Sequence, residues 1–196
     1  SNYNSSYFKG SETIKDSAYF SKFRKAVIGS KIISVKRRAK NVLINLNNGY
    51  TILIHMKMTG HLLYGLYKFN PRIKSDPWEP ISPSGLKDPF NRRVRFVLSM
   101  NNGKFIALSD MRRFAKVTLI KSSELQSSIH TKDLGPEPLD DKFTFKIFSE
   151  KITAKNNWKI KQTLLDQTVI AGIGNIYADE SLWRANIHPK TLVRSL

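Results

Sequence analysis

The spacing of apolar residues is helical at the start of the chain and then changes to strict alternation. In SAYFSKFRKAVI, residues 17–28, Phe20, Phe23 and Val27 recur at three- and four-residue intervals, which predicts a short amphipathic helix. Gly29 is expected to close this helix, because glycine readily takes the left-handed conformation that ends many helices.

Two β-hairpins are predicted next, each built around an Asn-Asn-Gly turn. The first joins KIISVKRRAKNVLINL to YTILIHMKM through residues 47–49, and the second joins VRFVLSM to KFIALSDM through residues 101–103. An Asn-Gly pair between β-rich runs is the strongest short-range hairpin signal. The hairpins predict an antiparallel sheet arranged as two packed layers.

The rest of the chain divides into irregular and helical stretches. Residues 65–93, rich in Pro, Lys and Asp, are interpreted as a long surface loop, and residues 132–141 as an interdomain linker. Helical patterns follow in FTFKIFSEKI, in WKIKQTLLDQT and in LLDQTVIAGIGNIYADESLWRANIHP, with Asp141 or Thr144 as the expected cap of the first. The predicted fold class is α+β, with an antiparallel β-sandwich over residues 1–134 and a helical segment over residues 135–196.

The charge balance indicates a polyanionic partner. The 196 residues include 33 Lys and Arg against 15 Asp and Glu, a formal net charge of +18. Such an excess raises self-repulsion and is usually kept because the partner is negatively charged. Nucleic acid is the first candidate and an anionic membrane surface the second. A solvated basic face with no ligand is the remaining alternative.

Composition excludes several kinds of chemistry. There is no cysteine, which excludes disulfides, cysteine-ligated zinc and thiol catalysis. The four histidines form no close ligand pair, so no metal site is expected. No apolar run approaches the ~20 residues of a membrane span, and the polar residues 1–10 contain no signal-peptide core. A soluble cytoplasmic protein is expected.

Gly-Ile-Gly-Asn, residues 172–175, interrupts the last helical pattern. Glycines just before a helix allow backbone N–H groups to approach an anion, and the helix dipole favours a phosphate there. In the alternative interpretation the glycines only permit a tight turn and Asn175 only caps the helix. Ile176, Trp183 and Ile187, with Glu180 near the same seam, are predicted to form the buried face of that helix.

This last segment resembles the helix–two-turn–helix of the formamidopyrimidine-DNA glycosylase and endonuclease VIII family. Three other stretches agree in the same order, RRAKNVLINL, HMKMTGHL and DMRRFAK, and MRRF fits the formamidopyrimidine branch more closely. The resemblance covers roughly residues 20–189. It implies a monomeric base-excision repair glycosylase and AP lyase, acting on double-stranded DNA that contains oxidised purines such as 8-oxoguanine and formamidopyrimidines. A bacterial member would be associated with the nucleoid.

The resemblance assigns four residues to the DNA backbone. Gly174 and Asn175 would contact a phosphate beside the flipped nucleotide. Lys161 would contact a phosphate or the damaged base, and Lys40 would bind a phosphate near the lesion. Without the resemblance, Lys40 is most simply a solvated lysine at a strand edge.

Three further residues would act where the base stack opens. Met58, Arg112 and Phe114 fall at the family's intercalating positions, and Arg112 would also bond to the widowed cytosine. Arg113 is interpreted as a second phosphate contact. Ordinary core packing is the alternative for Met58 and Phe114, because alternation places Met56 and Met58 on one face. His55 is predicted to be structural.

The chain departs from the family pattern at both ends. Family members open with a proline, whose amine forms a Schiff base with the sugar, followed by a glutamate, whereas this chain opens SNYNSSYF. No catalytic residue is therefore assigned, although the amino group of Ser1 is a remote candidate. The family's four-cysteine zinc finger is also missing, so no cofactor is expected. The alternatives to a repair enzyme are a damaged-DNA-binding module without catalysis and, resting on charge alone, an RNA-binding protein.

Overall fold

The computed structural model describes residues 9–196, so the suggestion for Ser1 lies outside the described residues. The chain forms two compact units. Of the described residues, the first unit, here called the sheet unit, consists of residues 9–36 and 41–122, and the second, the helical unit, of residues 37–40 and 123–196. The division falls after Ser122, whereas the sequence pattern placed it at 134/135. Residues 132–141 are an integral part of the helical unit and do not form a linker, since Gly135 N–H donates to Gln167 O over 2.8 Å.

The sheet unit consists of one helix and two four-stranded antiparallel sheets, which confirms the predicted fold class. Helix α1 spans Ser17–Val27, and the strands are β1 (Ile32–Arg38), β2 (Asn41–Leu46), β3 (Tyr50–His55), β4 (Gly60–Phe69), β5 (Trp78–Ser82), β6 (Val94–Ser99), β7 (Phe105–Asp110) and β8 (Lys116–Lys121). The strand orders are β1-β2-β3-β8 and β5-β4-β7-β6. The last two residues of β1 belong to the helical unit.

Both sheets contribute to one core. Ile52 and Ile54 of β3 are fully buried and pack in the same cluster as Phe96 and Leu108 of the other sheet. Phe23 of α1 meets Phe96 edge-on at a centroid distance of 5.7 Å. The predicted helix, both hairpins and the two-layer arrangement are confirmed.

The interpretation of residues 65–93 as a surface loop is wrong. Strand β4 continues through Phe69 and pairs with β5, so the segment contains half of one strand and all of another. Gly65 is buried here, and a Cβ on it would lie only 2.3 Å from Ser82 O. Pro80 hides β5 from a sequence pattern, because proline is unusual in strands and is tolerated mainly at a sheet edge, where β5 lies.

The helical unit packs three α-helices round a small core. Helix α2 spans Phe145–Thr153, α3 Ile160–Leu165 and α4 Asn175–Arg184. Thr144 caps α2, one of the two predicted candidates, since its side chain accepts a bond from Ile147 N–H. The core consists of Ile152, Ile160, Leu164, Val169, Ile170, Ala178, Leu182 and Val193. No helix within residues 9–196 is long and apolar enough to cross a membrane.

The predicted buried face of α4 is wrong for Ile176 and Trp183, whereas Ile187, which follows the helix, is partly buried and packs against the core. Ile176 and Trp183 are each 76% exposed, and the helix buries Ala178 and Leu182 instead. Ala178 is fully buried, and its small side chain lets the helix lie close to the residues it covers. The apolar pattern was misleading because the largest apolar side chains of this helix lie on its outer face.

Candidate nucleic-acid interface

A half-buried glutamine fixes the glycine turn before α4. Gln167 donates through Nε2 to Leu165 O and Ile173 O, over 3.0 and 2.9 Å, and accepts a bond from Gly172 N–H over 2.9 Å. Gly172 has φ +96°, a backbone conformation that residues other than glycine rarely adopt. These hydrogen bonds within the helical unit hold the turn in its observed conformation without any ligand. The sequence patterns did not reveal Gln167, although its place just after α3, five residues before a glycine, was a usable signal.

Lys40, Gly174 and Asn175 lie together at the start of α4. Gly174 is the N-cap residue and supplies no side-chain cap, so the first N–H groups of the helix can donate to an outside acceptor. Lys40 Nζ donates to Ile173 O over 2.6 Å, and a Cβ on Gly174 would lie 3.7 Å from that nitrogen. Asn175 is exposed in the first turn. A cation, a helix amino terminus and a side-chain amide therefore share one place, which suits a phosphate.

Glu137 anchors the short segment that carries Lys40. Its carboxylate bonds to Arg37 Nη1 over 2.6 Å and to Arg38 Nη1 over 3.0 Å, and it accepts the N–H of Ala39. Burial opposes ionisation of this carboxyl, but the bonds from Ala39 and the two guanidinium groups outweigh it, so the pKa of Glu137 lies below its ordinary value.

Lys161 is already paired within the helical unit. Its Nζ lies 2.8 Å from Asp179 Oδ1 of α4, and the Asp179 side chain is 53% exposed. Lys161 also lines a groove of about 690 Å³ with Trp158, Gln162 and Lys190. The predicted contact of Lys161 with DNA remains a prediction, and this ion pair competes with it.

Met58, Arg112 and Phe114 form a single exposed group in the sheet unit, here called the wedge cluster. Arg112 Nη1 lies 3.3 Å from Met58 Sδ, and its guanidinium carbon lies 4.5 Å from the centre of the Phe114 ring. Met58 is 72% exposed and Phe114 47% exposed. The core-packing alternative is therefore wrong for both, and it is Met56 that packs against the core.

Asp110 holds together the two loops that carry the wedge cluster. The residue is fully buried. Its Oδ1 accepts a bond from Thr59 Oγ1 over 2.7 Å, beside Met58, and its Oδ2 accepts one from Ala115 N–H over 2.8 Å, beside Phe114. Arg112 N–H also donates to Thr59 Oγ1, over 3.2 Å. A carboxylate ending an apolar strand pattern was the signal for Asp110, and sequence analysis overlooked it.

The remaining predicted residues have simpler surroundings. Arg113 is exposed with φ +58°, and its phosphate contact remains a prediction. His55 Nδ1 accepts the N–H of Lys57 over 3.0 Å, in keeping with a structural role. Among the described residues no group of three or more His, Asp or Glu side chains is arranged to hold a metal ion.

The eight predicted residues are divided equally between the two units. Lys40, Lys161, Gly174 and Asn175 lie in the helical unit, and Met58, Arg112, Arg113 and Phe114 in the sheet unit. Family models match both parts of the chain. The formamidopyrimidine-DNA glycosylase N-terminal domain matches residues 7–117, and the H2TH domain of the same glycosylase matches residues 134–196.

Individual relatives and solved structures carry the same name. A formamidopyrimidine-DNA glycosylase from Pelotomaculum thermopropionicum is 38% identical over 90% of this chain, and one from Chloroflexus aggregans is 39% identical over 86% of it. The chain spans 56% and 54% of their lengths. The Lactococcus lactis enzyme, non-covalently bound to DNA with an AP site, is 28% identical and superposes with a TM-score of 0.71. That match covers 90% of this chain and 60% of the other.

Proposed function

Because this chain belongs to the formamidopyrimidine-DNA glycosylase family, we propose that it binds damaged duplex DNA and holds one nucleotide out of the stack. The exposed wedge cluster is the observation that carries this proposal. An apolar side chain and an aromatic ring are held beside a guanidinium group at the surface, although proteins normally bury side chains such as Met58 and Phe114.

In this proposal the helical unit binds the sugar–phosphate backbone. The bare amino terminus of α4, the Asn175 amide and the Lys40 ammonium offer several donors to one phosphate. Contacts of this kind position a protein on DNA without reading its sequence. The chain's net charge of +18 adds a long-range attraction that weakens as salt is raised.

The sheet unit then fills the gap that the nucleotide leaves. Turning a base out of the duplex costs a few kcal/mol of stacking and pairing. Met58 and Phe114 replace the lost stacking contacts, as apolar wedges do in other proteins that kink DNA. Arg112, which rests on the Phe114 ring, has guanidinium donors for the base left without a partner.

Excision is proposed for the whole protein and not for the residues of this chain alone. The resemblance implies that a proline amine displaces the damaged base from the sugar carbon and forms a Schiff base, followed by β,δ-elimination of both phosphates. The residues of this chain bind the duplex, turn the nucleotide out and fill the gap. This chain contains no cysteine, so its own residues do not form a four-cysteine zinc site, and none of these three tasks needs a metal.

Two measurements test the proposal. The gene product that contains this chain should be trapped by borohydride as a covalent complex on a duplex with 8-oxoguanine. A product that binds the lesion but never forms the complex would support the non-catalytic alternative. The chain itself should bind the lesion duplex more tightly than undamaged duplex or RNA at several salt concentrations. Equal affinities for all three would refute lesion recognition.

Removing the positive or the negative member of the Lys161–Asp179 pair should change DNA affinity in opposite directions. Lys161→Ala removes a phosphate contact, and should weaken binding to lesion and undamaged duplex alike and lower the salt slope by about 1. Asp179→Asn removes the competing carboxylate, and because an exposed ion pair contributes only about 0–1 kcal/mol, affinity should rise roughly threefold. Gel shifts across a salt series measure both, with the exposed Lys146→Ala on α2 as the control. A fall in affinity for Asp179→Asn would contradict the competition.

A further inference from the structure

Lys15 is a lysine buried inside the sheet unit. It precedes α1 and is only 3% exposed. Removing an ammonium group from water costs several kcal/mol unless it gains close partners. Its Nζ donates to the main-chain carbonyl of Arg113 over 2.6 Å. Burial lowers the pKa of Lys15, while the nearby negative charge of Asp110 acts in the opposite direction.

The carbonyl that Lys15 binds belongs to the loop between β7 and β8, which carries two residues of the wedge cluster. Arg113 stands between Arg112 and Phe114, and its φ of +58° is in the left-handed region, which a side chain with a Cβ occupies at a cost of about 1 kcal/mol. That backbone needs a fixed partner to persist. The ammonium of Lys15 provides one, from a different element of the fold.

Asp110, which lies near Lys15, also holds the loop between β3 and β4, which carries Met58. Asp110 binds Thr59 next to Met58, and it binds Ala115 next to Phe114. Arg95, itself buried, donates through Nε to Asp110 O over 3.1 Å and fixes this residue in turn. Asp110 is therefore bonded to both loops. Lys15 adds a second bond to the loop that carries Phe114, and Thr59 provides the bond to the loop that carries Met58.

We propose that Lys15 is a positioning residue for base eversion. Its bond to Arg113 O, together with the two bonds of Asp110, keeps the wedge cluster assembled before DNA arrives. Met58 and Phe114 then enter the stack without first being ordered, so less binding free energy is spent on arranging them. This inference rests on the proposed function of the wedge cluster.

The test compares base eversion with binding. A lesion duplex carries 2-aminopurine beside the base opposite the lesion, so its fluorescence rises when the stack opens. Lys15→Met should lower the eversion constant about tenfold, whereas affinity for undamaged duplex should stay within about twofold. Lys15→Arg, which keeps a cationic donor, should restore most of the signal. Lys22→Met, at an exposed lysine of α1, is the matched control.

Two further variants keep the result decisive. If Lys15→Met does not fold, Thr59→Val removes the bond to the loop that carries Met58, at a half-buried position, and it should lower eversion in the same way. Combining Lys15→Met with Phe114→Ala should be no worse than Phe114→Ala alone, since a misplaced ring and a missing ring have the same consequence. Unchanged eversion in Lys15→Met or Thr59→Val, while Phe114→Ala impairs it, would overturn the inference. An unchanged Phe114→Ala would instead refute the proposed function.

Discussion

Replacing Glu137 with alanine is expected to lower the free energy of unfolding of the helical unit by about 2–3 kcal/mol at neutral pH. The substitution leaves the N–H of Ala39 without its acceptor, although Ala39 is only 5% exposed. It also separates Arg37 and Arg38 from their common counter-charge. The two ion pairs contribute the smaller part, because both arginines are partly solvated and solvent screens them.

The pH dependence of this effect has a definite sign. The pKa of Glu137 in the folded protein lies below its ordinary value of 4.5. Its ionised form therefore stabilises the folded unit fully above that value, and the contribution is lost as the pH falls through the lowered one. The stability difference between the protein and Glu137→Gln should accordingly shrink as the pH is lowered from neutral to below 4.5.

Urea unfolding followed by tryptophan fluorescence measures these differences. In a Trp78→Phe background the two remaining tryptophans, Trp158 and Trp183, both lie in the helical unit and report on it specifically. Glu150→Gln, at an exposed position of α2, is the control and should change stability by less than about 0.5 kcal/mol. A difference between the protein and Glu137→Gln that is the same at neutral and acidic pH would show that the carboxylate charge plays no part.

The sequence predicted those elements whose local pattern and packing agree. The hairpins at residues 47–49 and 101–103 combine a turn signal with alternating strands, and both form as expected. Strand β5 was missed because its residues, including Pro80, have no strand pattern of their own and are ordered by pairing with β4. The face of α4 was misassigned because a helix pattern shows which residues share a side and not which side is covered.

In the candidate site too, some residues could be predicted from the sequence and others could not. Family motifs pointed to Met58, Arg112 and Phe114, and the structure places these three side chains in one cluster. Their contact with the base stack stays a prediction. Motifs did not reveal Lys15 or Gln167, which bind main-chain atoms far along the chain or across a turn. A side chain that supports a loop through its backbone leaves no constraint on the residue types in that loop, so sequence patterns do not link the two.

Phe114→Ala is expected to reduce eversion of the damaged nucleotide by about thirtyfold, since stacking of an aromatic ring on a base contributes about 2 kcal/mol. The change also removes the surface on which the Arg112 guanidinium rests, 4.5 Å from the ring centre. Affinity for undamaged duplex should hardly change, because backbone binding is assigned to the helical unit. Stopped-flow fluorescence of 2-aminopurine gives the eversion step, and a gel shift gives the affinity.

The comparison variants separate an intercalating ring from a ring that is merely exposed. Phe90→Ala removes a phenylalanine of the same unit that is 76% exposed and lies outside the wedge cluster, and eversion should be unaffected. Phe114→Leu keeps an apolar side chain without an aromatic face, and should recover part of the loss. If Phe114→Ala weakens binding to undamaged and lesion duplex equally, the ring contributes to general affinity and does not enter the stack, and the gap must then be filled by Met58 without it.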